Sequence, residues 1–261
     1  MKQFFQKNHV YLQVNFLNLM KKRIYLILLS LTVIFFSCQE EKSKFEEQLF
    51  TIAEMKTAIR QCITAASDST LNALCVVDTL THKHGYYYYS DSTYRIALPK
   101  QMKDTLKKHG FEEDINSLIV DMNRAAEQCG NSIKRAFLTP LDTMLTFSNP
   151  YALIHNTNSA AITAYVKENK QMNFFTVLSS SILLEQFKNL NVHAKWNRLQ
   201  EAYRDITGEQ HTIDIVNYAA LQMMNGFFKE MGLAEKAIRE NSSLRGNKNS
   251  MLYRVFATLD E

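Results

Sequence analysis

Four polar side chains within seven residues, Asp121, Asn123, Arg124 and Glu127, form the densest group in this chain that could do chemistry. On a helix, residues three and four apart share a face, so Asp121 neighbours Arg124 and Asn123 neighbours Glu127. Such a cluster can hold a polar ligand, or supply Glu127 as the acid or base of a hydrolase working with Arg124 or a histidine. More often a row like this is a satisfied network that fixes helix register, because an unpaired buried polar group costs roughly 1–3 kcal/mol. Ala125 and Ala126, inside the row, would let another helix approach closely.

The run Tyr86-Tyr87-Tyr88-Tyr89 is the second candidate. Tyrosine-rich stretches favour extended backbone, where alternate rings point to opposite faces. One pair would then pack on the domain while the other offers a binding surface for a glycan or a protein. His82 and His84 would present two imidazoles to one side of the same segment, with Cys75 and Asp78 upstream. A metal site needs three or four ligands and a supporting shell, and this spacing matches no metal motif, so no metal and no cofactor is expected. His155, His193 and His211 are isolated. The chain has no glycine-rich phosphate loop, no G-x-S-x-G, no H-E-x-x-H and no C-x-x-C. Met223, Met224, Phe227, Phe228 and Met231 make one end of a helix apolar on a broad front, which reads as core before it reads as a lipid groove.

Cys38 carries a different chemistry. It comes after Met20-Lys21-Lys22-Arg23, an apolar run of 13 residues from Ile24 to Phe36, and the small residue Ser37. A bilayer-spanning helix needs about 20 apolar residues, so the run suits the h-region of a signal peptide. A cysteine after a small residue then reads as the lipidated residue of a bacterial lipoprotein, although Phe35 and Phe36 are looser than the commonest lipobox. Residues 1–19 lack a typical n-region and read as a mis-assigned start ahead of Met20. Residues 20–37 are the signal peptide, 38–49 the lipidated cysteine with an acidic tether, and 50–261 the folded domain. Each acyl CH₂ buried in a membrane contributes about 0.8 kcal/mol, and two or more chains hold stably. Gln39-Glu40-Glu41-Lys42-Ser43 resembles the acidic export tag of surface lipoproteins in Bacteroidetes-like bacteria. The expected address is the cell envelope, anchored to the outer membrane on its periplasmic face or at the cell surface.

Composition narrows the function classes. Residues 1–37 hold five basic and no acidic residues, so residues 38–261 hold 25 basic against 26 acidic. The apparent basicity belongs to the targeting segment, and the positive field that nucleic-acid binding needs is missing. With Cys38 acylated, Cys62, Cys75 and Cys129 remain. A Cys62–Cys75 bridge would suit a helical hairpin, and three buried thiols acting as small hydrophobes are the alternative.

The elements that must position these residues read as helices. Three prolines and seven glycines in 261 residues are too few for the turns of an all-β fold. Ile52, Met55, Ile59 and Ile63 recur at helical spacing in a helix over 45–66; Ser67-Asp68-Ser69 should break it and Leu71–Leu80 restart it. Thr81–Ile96 is a loop or short hairpin. Pro99 opens a helix that Gly110 ends. Glu112–Leu138 is one long helix, and Pro140 and Pro150 bracket a short segment. Further helices lie at about 157–169, 171–189, 192–206, 213–240 and 248–258. The fold class is all-α, a single multi-helix domain with one extended tyrosine-rich loop.

Arg95-Ile96-Ala97-Leu98-Pro99 and Met122-Asn123-Arg124-Ala125-Ala126-Glu127 resemble a bacterial family known as domain of unknown function 4197. Ala161-Ile162-Thr163-Ala164-Tyr165, Tyr218, Gly226-Phe227-Phe228, and Lys236-Ala237-Ile238-Arg239-Glu240-Asn241 through Arg245 to Val255-Phe256 come in the family's order. The likeness spans about residues 50–258. It implies a secreted or lipid-anchored helical domain and brings no activity with it. Ala97, and Ser242 or Ser243, stand where the family often has proline, and Thr64–Tyr89 is longer than usual.

The expectation is therefore a lipid-anchored envelope protein acting as a non-catalytic binding or scaffolding module, whose partners are the membrane and an envelope protein, glycan or apolar ligand. A carrier of a small apolar ligand or lipid is the alternative, and an envelope hydrolase the more distant one.

Overall fold

The computed structural model describes residues 50–75, 85–87, 94–144, 146–168, 172–209 and 212–260, the side chains of 139–144 excepted. Cys38, His82, His84, Tyr88, Tyr89 and His211 lie outside them, as do the signal peptide and tether.

Helix α1, Ile52–Cys75, starts on a reciprocal cap. The Thr51 N–H donates to Glu54 Oε2 at 2.8 Å and the Glu54 N–H to Thr51 Oγ1 at 3.2 Å. Met55, Ala58, Ile59, Cys62, Ile63, Ala66, Leu71 and Leu74 recur every three or four residues along its buried side. The helix does not break at Ser67-Asp68-Ser69. Ser67 and Thr70 lie on the buried side, and the Thr70 hydroxyl donates to the Ala66 carbonyl at 2.8 Å. That local bond satisfies a hydroxyl inside a helix that its neighbours hold in place.

The next helices are α2 (Lys100–Lys108), α3 (Glu112–Gln128) and α4 (Gly130–Met144). Pro99 caps α2, and Gly110, at φ +89°, takes the left-handed turn after it. The long helix expected over 112–138 is two helices meeting at Cys129. A Cβ on Gly130 would stand 2.5 Å from Cys75 Cβ, so the end of α1 passes where only glycine leaves room. Helix α4 runs on through Pro140, giving up the N–H that would have reached the Ala136 carbonyl.

Then come α5 (Pro150–Ile154), α6 (Ala161–Val166), α7 (Met172–Asn189), α8 (Val192–Thr207), α9 (Ile215–Glu240), a 3-10 turn Ser242–Arg245, α10 (Met251–Phe256) and a second 3-10 turn, Ala257–Leu259. Among the described residues there is no strand, and the class is all-α. No described helix is long and apolar enough to cross a membrane.

Helix α9 is the central post, packed chiefly against α1 and α7, while α10 lies on α1 and α3 lies on α7 and α8. The Leu252 N–H at the start of α10 donates to Gln61 Oε1 of α1 at 2.7 Å, which ties the two ends of the domain together. Met223, Met224, Phe227, Phe228 and Met231 are all buried. Phe227 and Phe228 join Phe137 and Phe175 in an aromatic cluster, with Phe137 4.4 Å from Phe175 and 4.9 Å from Phe227 between centroids. This front of α9 is core.

Candidate functional site

Helix α3 positions the polar row, and its members are joined differently from the neighbour pairs that helical spacing suggests. Asp121 pairs across the gap to α8 with Lys195, whose ammonium also donates to Ser117 Oγ at 2.8 Å. Asn123 is completely buried. Its Oδ1 accepts the Ile96 N–H at 2.9 Å, and its Nδ2 donates to the carbonyls of Ile96 and Ile119, both at 2.7 Å. Arg124 donates to Glu127 Oε2 at 2.5 Å, and Glu127 Oε1 accepts the Tyr87 N–H at 3.1 Å. Ala125 and Ala126 are buried, and Cys75 at the end of α1 reaches the Ala126 carbonyl, so a second helix does come close there.

Asn123 and Glu127 therefore grip the connection between α1 and α2, at Ile96 and Tyr87. Helix α9 grips it from another side, where the Met223 carbonyl accepts the Tyr86 hydroxyl at 3.2 Å and the Tyr218 hydroxyl donates to the Ala97 carbonyl at 2.8 Å. Tyr86 is buried and belongs to the core, not to a surface. Tyr86 and Tyr87 occupy a turn rather than an extended strand, because Gly85 at φ +101° bends the chain just before them. Tyr87 is half-buried, and its ring carries the Arg95 guanidinium at 4.2 Å and that of Arg124 at 5.5 Å.

Burial dominates the titration of Glu127, His155 and the three described cysteines. It pushes the Glu127 carboxyl above its usual range, against the opposing pull of the Tyr87 N–H and the Arg124 guanidinium. Burial likewise raises the Cys75 and Cys129 thiols to about 12 each and holds Cys62 well above the ordinary thiol range. It lowers His155, helped by the charge of Arg239.

Two cavities flank the Tyr87–Glu127 contact. One, of about 220 Å³, is enclosed by Tyr87, Arg95, Lys103 and Lys107 over a floor that includes Ile115 and Ile119. The other, of about 270 Å³, lies between α1 and the α3–α4 junction, where Lys134 pairs with Asp68 at 2.6 Å. His155 stacks on Tyr151 and His193 edges Phe187, so both of these histidines pack against aromatic rings elsewhere. Among the described residues no three His, Cys, Asp or Glu side chains gather as a metal-holding group.

A family model described as "Protein of unknown function (DUF4197)" matches residues 50–257, which takes in every helix from α1 to α10. The chain belongs to the DUF4197 family. No curated protein and no solved structure matches it.

Sequence reasoning passed over a second polar system of this DUF4197 domain. Glu235 and Arg239, both buried on α9, form an ion pair at 2.8 Å. Glu235 accepts the N–H groups of Ile162 and Thr163 at 3.0 and 2.7 Å, capping α6, while Arg239 donates to the carbonyls of Ile154 and Leu153 at 2.5 and 2.9 Å, at the end of α5. Arg245, also buried, donates to the Ile238 and Arg239 carbonyls and takes both oxygens of Asp260 at 2.7 Å. The available signal was a Glu and an Arg four apart among the apolar residues Met231, Ala234 and Ile238.

The cysteines correct one expectation. Cys62 and Cys75 are free and sit 13 residues apart on one helix. At about 1.5 Å of rise per residue the gap is roughly 20 Å, far beyond a disulfide's reach. The neighbours that do approach are Cys75 and the Cys129–Gly130 junction.

Proposed function

We propose that this protein is a non-catalytic binding or scaffolding module of the cell envelope, lipidated at Cys38 and held at the outer membrane. One observation carries the non-catalytic reading: each of Asp121, Asn123, Arg124 and Glu127 is engaged with another part of the chain. A general acid or base has to reach the proton it moves. Glu127, with its side chain 2% exposed, already spends both oxygens on Tyr87 and Arg124. Asn123 and Glu127 brace the α1–α2 connection, and that connection lends Tyr87 and Arg95 to a cavity wall. The Met223–Met231 front of α9, one candidate groove for a carrier, is buried in the core.

Three experiments test the proposal. Native mass spectrometry of the full-length chain, released gently from detergent, should show a bound mass or partner that denaturation removes. Turnover of an envelope substrate, abolished by Glu127→Ala in a folded protein, would sink the non-catalytic reading. Labelling cells with an alkyne fatty acid should tag the chain, and Cys38→Ser should erase the tag; label that persists in the variant would refute the anchor.

A further inference from the structure

The cavity walled by Tyr87, Arg95 and Lys103 has features that bracing the fold does not explain. Among the described residues, three cations border it, Arg95, Lys103 and Lys107, against one carboxylate, Glu112. Glu112 is already paired with Lys107 at 2.6 Å, on the exposed rim. Arg95 is half-buried, its Nε is buried without a hydrogen-bond partner, and no described carboxylate pairs with it. A guanidinium flanked on its face by an aromatic ring still has its in-plane N–H groups to give. The other N–H groups of this half-buried side chain line the cavity and are where an acceptor arriving from outside would bond. Lys103, half-buried one helical turn before Lys107, adds a second positive centre.

Apart from Asn116, the remaining described walls are apolar. Ile115 and Ile119 of α3 are buried beneath the cations, and the Tyr87 ring forms one side. A volume of about 220 Å³ falls below the range of about 300–1,000 Å³ that takes drug-sized ligands. Such a space suits one ring with a charged head better than an acyl chain. The walls are also preset. Glu127 fixes the main chain at Tyr87, and Asn123 fixes both main-chain groups of Ile96, next to Arg95. Little ordering would have to accompany binding.

We propose that this cavity is a binding site for a small oxyanion carried on a flat apolar body, an aryl carboxylate or aryl phosphate, with Arg95 and Lys103 taking the oxygens and Tyr87 lying along the body. The assignment rests on the binding-module reading and names a ligand class for it.

The test is titration calorimetry on the full-length chain in non-ionic detergent, with benzoate, phenyl phosphate and neutral benzamide as probes. At least one anion should bind where benzamide does not, and added salt should weaken it. Tighter benzoate marks a carboxylate ligand, and tighter phenyl phosphate a phosphate monoester. Arg95→Ala should weaken binding about tenfold or more, the usual loss for a charge-assisted hydrogen bond. If that variant does not fold, Lys103→Ala on α2 carries the test, with a several-fold loss expected. Benzamide binding as well as both anions would overturn the site, and so would wild-type affinity in the folded variants. Hydrolysis of phenyl phosphate would instead sink the non-catalytic reading and leave the binding site standing, so the two failures are distinguishable.

Discussion

Asn123 holds Ile96 by both of its main-chain groups, accepting from the N–H at 2.9 Å and donating to the carbonyl at 2.7 Å, with all three groups buried. One side chain thus replaces the strand partner that an isolated extended residue would otherwise need. The segment at 94–99 can cross the domain without a sheet because α3 supplies this amide at the right height.

Asn123→Ala should therefore cost about 2–4 kcal/mol, since it orphans a buried donor and a buried acceptor together. Asn123→Asp should cost at least as much. It keeps the acceptor for the Ile96 N–H but turns a carboxylate toward the Ile96 and Ile119 carbonyls. Urea melts with an unchanged slope would check both. A loss below about 0.5 kcal/mol in the alanine variant would mean that the clamp does not hold the segment.

Glu127 gives a pH signature with a definite sign. Its folded-state carboxyl titrates above the ordinary carboxylate value because of burial. The folded state then binds the proton more tightly than the unfolded state, so stability falls as pH rises from the unfolded value of about 4.5 through the raised folded one. Glu127→Gln should flatten that part of the stability curve. It still offers an oxygen to the Tyr87 N–H while giving up the charge paired with Arg124. An unaltered pH dependence in the variant would show that the raised titration lies elsewhere.

Gly130→Ala tests the close approach of α1. The new Cβ would fall 2.5 Å from Cys75 Cβ, and overpacking of this kind costs about 1–3 kcal/mol. Cys75→Ala should not rescue it, because alanine keeps the clashing Cβ, whereas Cys75→Gly should recover part of the loss. Thermal melts of the two double variants decide the matter.

The thiols should be slow to alkylate in the folded protein. Burial raises Cys75 and Cys129 to about 12, and the nucleophile is the thiolate. Cys75, only half-buried, should react first, with Cys62 and Cys129 reacting at the rate of unfolding. Rapid iodoacetamide labelling of all three in native buffer would contradict the packing described.

Arg245→Ala should destabilise the domain by about 3 kcal/mol or more, since it strips the buried Ile238 and Arg239 carbonyls of their donor and leaves a cavity. The Arg245 guanidinium also holds the Asp260 carboxyl below the usual carboxylate range. That part of the stability is present above the unfolded carboxylate value and is lost as pH falls through the lower folded one. Asp260→Asn should remove this acid-side loss while costing less than Arg245→Ala, and acid titrations of both variants monitored by circular dichroism would show it.

Much of the helical fold was legible because apolar spacing in α1, α3, α8 and α9 reports one buried side of each helix. The misreadings came from residues whose role depends on a distant neighbour. Ser67-Asp68-Ser69 looks like a break until Ser67 and Thr70 are seen on the packed side of α1, and Gly130 looks like helix interior until Cys75 arrives above it. At the site, the sequence singled out the α3 row but not its targets. Asn123 meets Ile96 and Asp121 meets Lys195, 27 and 74 residues away along the chain, and spacing on one helix cannot reveal either. Arg95, Lys103 and Lys107 escaped notice because they read as ordinary surface charge until the turn at Tyr87 folds over them.

The bond from Leu252 to Gln61 joins residues 191 positions apart, and the most extensive packing of α1 is on α9 and α10. The first helix of the domain therefore has no finished surface to settle on until the last has been made. Topologies of this kind fold more slowly than bundles built from adjacent helices. A ribosome-bound chain would remain open over most of its length, and closure would come as one late event.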